Sequence, residues 1–180
     1  FQSHNQVDEI IVYDNLSREN YSLFMNNKFN GKGIKFIHGD ILDGRTLKKA
    51  LDNVEVVIHL AAKVGGLFKN MNHKVQMFES NMMINMNVLK CCYEFNVKKC
   101  ISCLSTCIFP DKTSYLINES MLHNGAPHNS NDAYAYAKRM IEVLSESYNQ
   151  QYKTNFSCII PTNIYGPHDN YHLEDAHVVP

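Results

Sequence analysis

Val54-Glu55-Val56-Val57-Ile58-His59-Leu60-Ala61-Ala62-Lys63-Val64-Gly65-Gly66 decides the fold. Its first seven residues are the most β-branched run in the chain and predict an interior strand. The small residues that follow let either a flat ligand or a tightly packed neighbour approach the backbone. Next comes the longest helical pattern, residues 73–95. There Val75, Phe78, Met82, Met86, Leu89 and Tyr93 recur at three- and four-residue spacing, which marks a core or subunit-interface stripe. A second apolar strand is expected over 97–104, and the strand–helix–strand unit argues for parallel pairing.

The alternation continues in both directions. Upstream, residues 7–13 read as a buried strand ending at Asp14, 21–33 as a loop or weak helix, and 34–37 as a short strand before Asp40 and Ile41. Asp43 caps a short helix to about Leu51. Downstream, 109–131 reads as a long polar loop of the kind that carries active sites. A helix is expected over 132–152 and a strand over 156–160, ended by Pro161-Thr162-Asn163-Ile164. The predicted architecture is α/β: a Rossmann-like, doubly wound parallel sheet with helices on both faces. Such sheets bind ligands beyond the carboxyl ends of their strands. Asp14, Asp40, Ala61, Ser105 and Asn163 all fall at or just after strand ends, so they would line one edge. Asp14 in that place is either a ribose-binding acid or a turn and cap residue.

Composition bounds the function. The 180 residues are 44% hydrophobic and 19% charged, with a net charge of −1, so no basic footprint for nucleic acid or a membrane surface is present. No apolar stretch approaches the ~18–20 residues of a membrane span. Six cysteines sit mostly inside apolar runs, as in a reduced, cytoplasmic protein without a disulfide framework. Cys100 and Cys103 have half of a zinc-site spacing, but an odd separation on a strand turns them to opposite faces. They read as small buried residues, with no metal site expected.

The chemistry concentrates between Cys103 and Lys138. Tyr134 and Lys138 are four apart, on one face of the expected helix, and Ser105 and Cys107 follow the preceding strand. A nearby ammonium lowers the pKa of a tyrosine from its reference of ~10. With a serine hydroxyl holding the substrate oxygen, such a tyrosine can move a proton to or from a carbonyl. Taken on residue type alone, Cys107 reads as a small buried residue and His177 as a loop histidine.

Tyr134-x-x-x-Lys138 with an upstream Ser105 resembles the short-chain dehydrogenase/reductase superfamily in its extended, nucleotide-sugar-modifying branch. The surrounding words are more specific. His59 to Leu67, Leu104 to Pro110, Pro161 to Asn170 and His177-Val178-Val179-Pro180 are similar to the GDP-L-fucose synthases. That resemblance implies epimerisation of GDP-4-keto-6-deoxymannose at C3 and C5, then reduction of C4 with NADP(H). By position it implies Tyr134 as the acid at the C4 oxygen and Lys138 as its partner and ribose ligand. Ser105 would be the hydrogen-bond donor to the ketone, with Cys107 and His177 the acid–base pair of the epimerisations. It further implies cofactor contacts from Asp40, Ile41, Ala61, Ala62, Lys63, Ser105, Tyr134, Lys138, Pro161, Thr162, Asn163, Ile164 and His177, and a homodimer formed through the two long helices.

One departure bears on the cofactor. Asp14 after Tyr13 is more like NAD-dependent epimerases and dehydratases, since an acid there repels a 2′-phosphate and favours NAD(H). Arg18 can pair with that phosphate and offset the repulsion. An NAD-dependent nucleotide-sugar epimerase or dehydratase is therefore the second expectation, and a non-catalytic binding module the third. The glycine-rich loop of a dinucleotide fold is not found in residues 1–180, and the chain opens at Phe1. The expectation is an incomplete NAD(P)-binding domain over 1–180, truncated at both ends, with 162–180 beginning the substrate-binding region.

Overall fold

The computed structural model describes residues 7–18, 28–29, 32–166 and 171. The expected β-branched run becomes strand β5 only over Val56–His59, after β1 (Ile11–Asp14), the two-residue strands β2 (Lys28–Phe29) and β3 (Lys32–Gly33), β4 (Lys35–His38) and helix α1 (Gly44–Ala50). It is followed by α2 (Leu67–Asn72), α3 (Lys74–Glu94), β6 (Lys99–Cys103), α4 (Asp132–Tyr152) and β7 (Phe156–Ile159), with single 3-10 turns at Thr106–Ile108 and Glu119–Met121.

Pairing is parallel wherever a crossover helix intervenes. β5, β6 and β7 form one sheet in that order, with Val57, Cys100 and Phe156 in register across it, and His59, Ser102 and Cys158 in the next row. β1 pairs in parallel with β4 from Ile11 opposite Lys35 to Asp14 opposite His38. β2 and β3 pair antiparallel in the stretch expected to be a loop or weak helix. The Rossmann-like reading thus holds. Single elements came out shorter than the sequence suggested, because strand ends follow from neighbours to pair with. Residues 7–10, for instance, lie outside β1.

The core lies between one face of the three-stranded sheet and the helices. Cys100, Leu104 and Phe156 pack there with Val88, Leu89 and Cys92 of α3, Leu47 and Leu51 at α1, and Ile141 of α4. Tyr93 of α3 stacks on Tyr152 of α4 with ring centroids 4.4 Å apart. The opposite face of that sheet carries no helix among the described residues. Val56 is 52% exposed, Ile58 41% and Ile159 47%, and in the order β5-β6-β7 the first strand is an edge rather than an interior strand among the described residues.

The apolar stripe on α3 also departs from expectation. Leu89 is buried, but Val75, Phe78, Met86 and Tyr93 are exposed, while Asn81 and Asn85 are buried with Met77. The helix turns this polar pair inward because it makes hydrogen bonds that water would otherwise supply. No helix among the described residues is long and apolar enough to cross a membrane. All six cysteines are free, and no group of three or more potential metal ligands occurs among the described residues.

Candidate active site

Helix α4 starts where β6 ends, and this junction gathers most of the predicted chemistry. Asp132 in the first turn accepts from Ala133 N at 2.7 Å and from Lys74 Nζ at 2.8 Å, tying α4 to the start of α3. An anionic group there suits the positive end of the helix dipole. One turn in, Tyr134 is half-buried and Lys138 is 2% exposed. The Lys138 ammonium donates to Cys103 O at 2.8 Å. Ser105 is extended and begins the 3-10 turn, whose Ile108 N donates to Ser105 O at 3.2 Å. The Ser105 side chain and the Lys138 ammonium both lie close enough to Cys107 to act on its thiol.

Electrostatics at this junction depart from expectation in one respect. Burial pushes the Tyr134 phenol up, and the neighbouring Cys107 and Cys103 push it further. Lys138 does not offset this; its ammonium is turned to the Cys103 carbonyl, and its own pKa is lowered by burial. Burial likewise raises the Cys107 thiol against the opposing pull of Ser105 and Lys138. Tyrosine and cysteine are therefore both held in their protonated, proton-donating forms.

The nucleotide side of the edge is built from turns. Asp14 Oδ1 accepts from Leu16 N at 2.6 Å, and this turn holds Leu16 at a φ of 58°, a region costly for a branched side chain. Asp40 Oδ1 accepts from Leu42 N at 2.9 Å, and its Oδ2 accepts from Asn15 Nδ2 at 3.3 Å. Ile41 O accepts from Asn87 of α3 at 2.9 Å. Asp14 and Asp40 remain exposed, so the turn reading of Asp14 is realised without blocking the ribose reading.

Two residues on α3 that the sequence reading passed over set the rest of this edge. Asn81 Oδ1 accepts from Lys63 N at 2.9 Å, while its Nδ2 donates to Lys63 O at 2.9 Å and Met77 O at 2.7 Å. Arg18 Nη2 reaches the same loop, donating to Val64 O at 3.1 Å, and Asn70 Nδ2 donates to Gly65 O at 2.9 Å. Ala61 and Ala62 are half-buried on this pinned loop and Lys63 is exposed. Asn85 links buried His59, whose Nε2 lies 3.1 Å from its Oδ1, to Ala137 O at 3.2 Å. Burial lowers His59 to about 4, which leaves it neutral. Two asparagines four apart inside an apolar stripe were the available signal.

Pro161, Thr162, Asn163 and Ile164 follow β7, the last three exposed. His177 lies outside the described residues. The structure thus brings together Ser105, Cys107, Tyr134 and Lys138, adds Cys103 beside them, and sets Asp14, Asp40, Ile41 and the loop 61–66 at other strand ends. Arg18 reaches across to that loop, and the loop lies against α3, whose Asn85 contacts the backbone of α4. The residues present suit one side of a nicotinamide dinucleotide: small residues on a pinned backbone, carboxylates at two strand ends and the Arg18 cation on the pinned loop.

Comparison with known proteins agrees with that geometry. The model of the NAD dependent epimerase/dehydratase family matches residues 2–180. GDP-L-fucose synthase of Dictyostelium discoideum is 68% identical over 124 residues, which cover 69% of this chain and 39% of that protein. The Escherichia coli GDP-L-fucose synthase is 36% identical over 143 residues, covering 78% of this chain and 44% of that protein. A crystal structure of a GDP-L-fucose synthetase from Naegleria fowleri bound to NADP superposes with a TM-score of 0.74 at 43% identity, covering 95% of this chain and 59% of that one. The chain spans about half the length of the relatives it matches.

Proposed function

Because the chain belongs to the NAD dependent epimerase/dehydratase family, we propose that it is the cofactor-binding part of a GDP-L-fucose synthase. Such an enzyme epimerises C3 and C5 of GDP-4-keto-6-deoxymannose and reduces C4 with NADPH. The observation that carries this reading is the junction where Ser105, Cys107, Tyr134 and Lys138 meet. A ketone reductase needs the two hydroxyls and the ammonium. The added thiol is what proton exchange at carbons beside a ketone requires.

In this reading Ser105 donates a hydrogen bond to the C4 oxygen and stabilises the charge that gathers there when a proton leaves C3 or C5. Cys107 and His177 are the pair that removes and returns those protons. Burial keeps the Cys107 thiol protonated, which suits the donating member. Tyr134, also held protonated, gives its proton to the C4 oxygen in the reduction. Lys138 holds the nicotinamide ribose and the carbonyl of Cys103. When bound, the dinucleotide supplies the hydride. Asp14, Asp40 and Ile41 would hold its adenosine side, Ala61, Ala62 and Lys63 its phosphates and ribose, and Pro161 to Ile164 its nicotinamide. Arg18 would meet a 2′-phosphate, in keeping with NADP(H). Residues 162–180 would begin the substrate-binding region.

The exposed Val75, Phe78 and Met86 of α3, with Val143 of α4, support a homodimer through these two helices. Met86→Glu should then shift the sedimentation of the full-length protein from dimer towards monomer. Six free thiols suit a reducing compartment such as the cytoplasm.

The test of the activity is direct. Full-length protein is incubated with GDP-4-keto-6-deoxymannose and either NADPH or NADH, and nicotinamide absorbance is followed. NADPH oxidation with formation of GDP-fucose is expected. Oxidation of NADH alone would keep the reaction and reassign the cofactor to Asp14. No oxidation of either would reject the reading in favour of a redox-neutral, NAD-dependent nucleotide-sugar epimerase.

A further inference from the structure

Arg139 is 4% exposed, and none of the ion pairs among the described residues involves it. Its guanidinium spends its donors on backbone carbonyls instead. Nε donates to Ile108 O at 3.1 Å, Nη2 donates to the same oxygen, and Nη1 donates to Gly125 O at 3.0 Å. Its Cζ lies 5.3 Å from the centroid of the Tyr136 ring. A buried cation without a counter-charge is expensive. A helix needing only to fill this space would carry an apolar residue.

What the fork grips gives the reason. Lys138 holds Cys103 O, and Arg139, next to it on α4, holds Ile108 O. The four residues between those carbonyls, 104–107, include Ser105 and Cys107. The second arm of the fork fixes Gly125, where an added Cβ would come 3.2 Å from Pro110 Cβ. Beside it Asp111 N donates to Ala126 O at 2.9 Å. The turn that carries Cys107 and the Gly125 stretch of the long loop therefore converge on one side chain. A planar fork holds two carbonyls in a fixed mutual geometry; an ammonium has three donors, but they rotate on a flexible stem and impose no such geometry.

We propose that Arg139 is a positioning residue for the proton-transfer chemistry of Cys107, acting through Ile108 O and Gly125 O. This rests on the assignment of Cys107 to the epimerisations. Lys138 anchors the Ser105 end of the turn and Arg139 the Cys107 end. Loss of the fork therefore displaces the thiol while leaving Tyr134, Lys138 and Ser105 able to support reduction.

The experiment uses full-length protein with GDP-4-keto-6-deoxymannose and NADPH in D2O. It reads deuterium incorporation at C3 and C5, hydride transfer, and the sugar formed, for wild type, Cys107→Ser, Arg139→Lys and Arg139→Gln. Arg139→Lys keeps the buried charge but not the fork; a displaced thiol should lower exchange about 10–100-fold relative to hydride transfer, so that unepimerised, reduced sugar accumulates. Arg139→Gln keeps one N–H for Ile108 O and carries the same test should the lysine variant not fold. Exchange and hydride transfer falling in equal proportion, or neither falling, would overturn the proposal while Cys107→Ser still abolishes exchange. Exchange surviving in Cys107→Ser would overturn both the proposal and the assignment beneath it.

Discussion

The corner that holds Ser105, Cys107, Tyr134 and Lys138 and the corner that holds Asp14, Asp40 and Arg18 both lie at strand ends but are built differently. In the first, the charged groups are buried, Lys138 to 2% and Arg139 to 4% exposure, and each is held by carbonyls from other elements. In the second, the carboxylates are exposed and close short local turns, Asp14 onto Leu16 and Asp40 onto Leu42. The difference fits the roles proposed for the two corners. A proton donor works only if its distance and pKa are fixed before the substrate arrives, and burial fixes both. A group that contacts a cofactor in water gains its definition from the cofactor.

The comparison predicts where substitutions hurt. Tyr134→Phe removes one hydroxyl from the buried corner, and hydride transfer to the ketone should fall about 10²–10⁴-fold with little change in thermal stability. Reduction at near-wild-type rate would remove Tyr134 from the mechanism. Next in size is a pair of apolar truncations. Ile108, 0% exposed, sits in the turn after Cys107, and Leu42, 43% exposed, follows Asp40. Ile108→Ala should cost about 2–5 kcal/mol in urea unfolding and Leu42→Ala less than about 1. Similar costs would mean that the two corners are packed alike.

Third is a pH effect beneath the buried corner. His59 is lowered by burial to about 4, against a reference near ~6.5 in an unfolded chain. Between those values the unfolded state binds the extra proton, so stability is complete above about pH 6.5 and declines towards pH 4, by about 3 kcal/mol in all. His59→Gln should flatten the unfolding free energy over that range; an unchanged slope would mean that other groups cause it. The smallest effect is expected at the exposed corner. Asp14→Ala should raise the preference for NADPH over NADH by no more than about fivefold in kcat/KM, the scale of an exposed charge. An effect as large as that of Tyr134→Phe would erase the distinction between the corners.

How much of this was legible in the sequence follows the same division. Helix α4 appears over the span expected from the sequence, Asp132–Tyr152, and ends at Lys153 in a left-handed conformation. Its start, periodicity and end are all local properties, as are the cap at Asp43 and the strand-to-turn words around Ser105. Non-local choices were hidden. β1 begins at Ile11 rather than Val7, since β4 gives it four residues to pair with. Val75, Phe78, Met86 and Tyr93 of the stripe are left exposed while Asn81 and Asn85 turn inward to partners in the Lys63 backbone, His59 and the Ala137 carbonyl. No pattern of hydrophobicity contains that information. Arg139 was hidden for the same reason: an arginine in a helix reads as surface until the carbonyls of Ile108 and Gly125 are seen at its fork.

Asn81 has a mechanical meaning. A carboxamide presents one acceptor and one donor side by side, as a peptide unit does, and here both engage the N–H and C=O of a single residue, Lys63. The side chain thus behaves as one borrowed residue of β-strand, adding a rung beyond the end of β5. That rung is mounted on a helix rather than on a neighbouring strand. The loop 61–66 is thereby geared to the same helix whose Asn85 touches the backbone of α4. An Asn81→Asp exchange would keep the shape and remove the donor, leaving that gear with half its teeth.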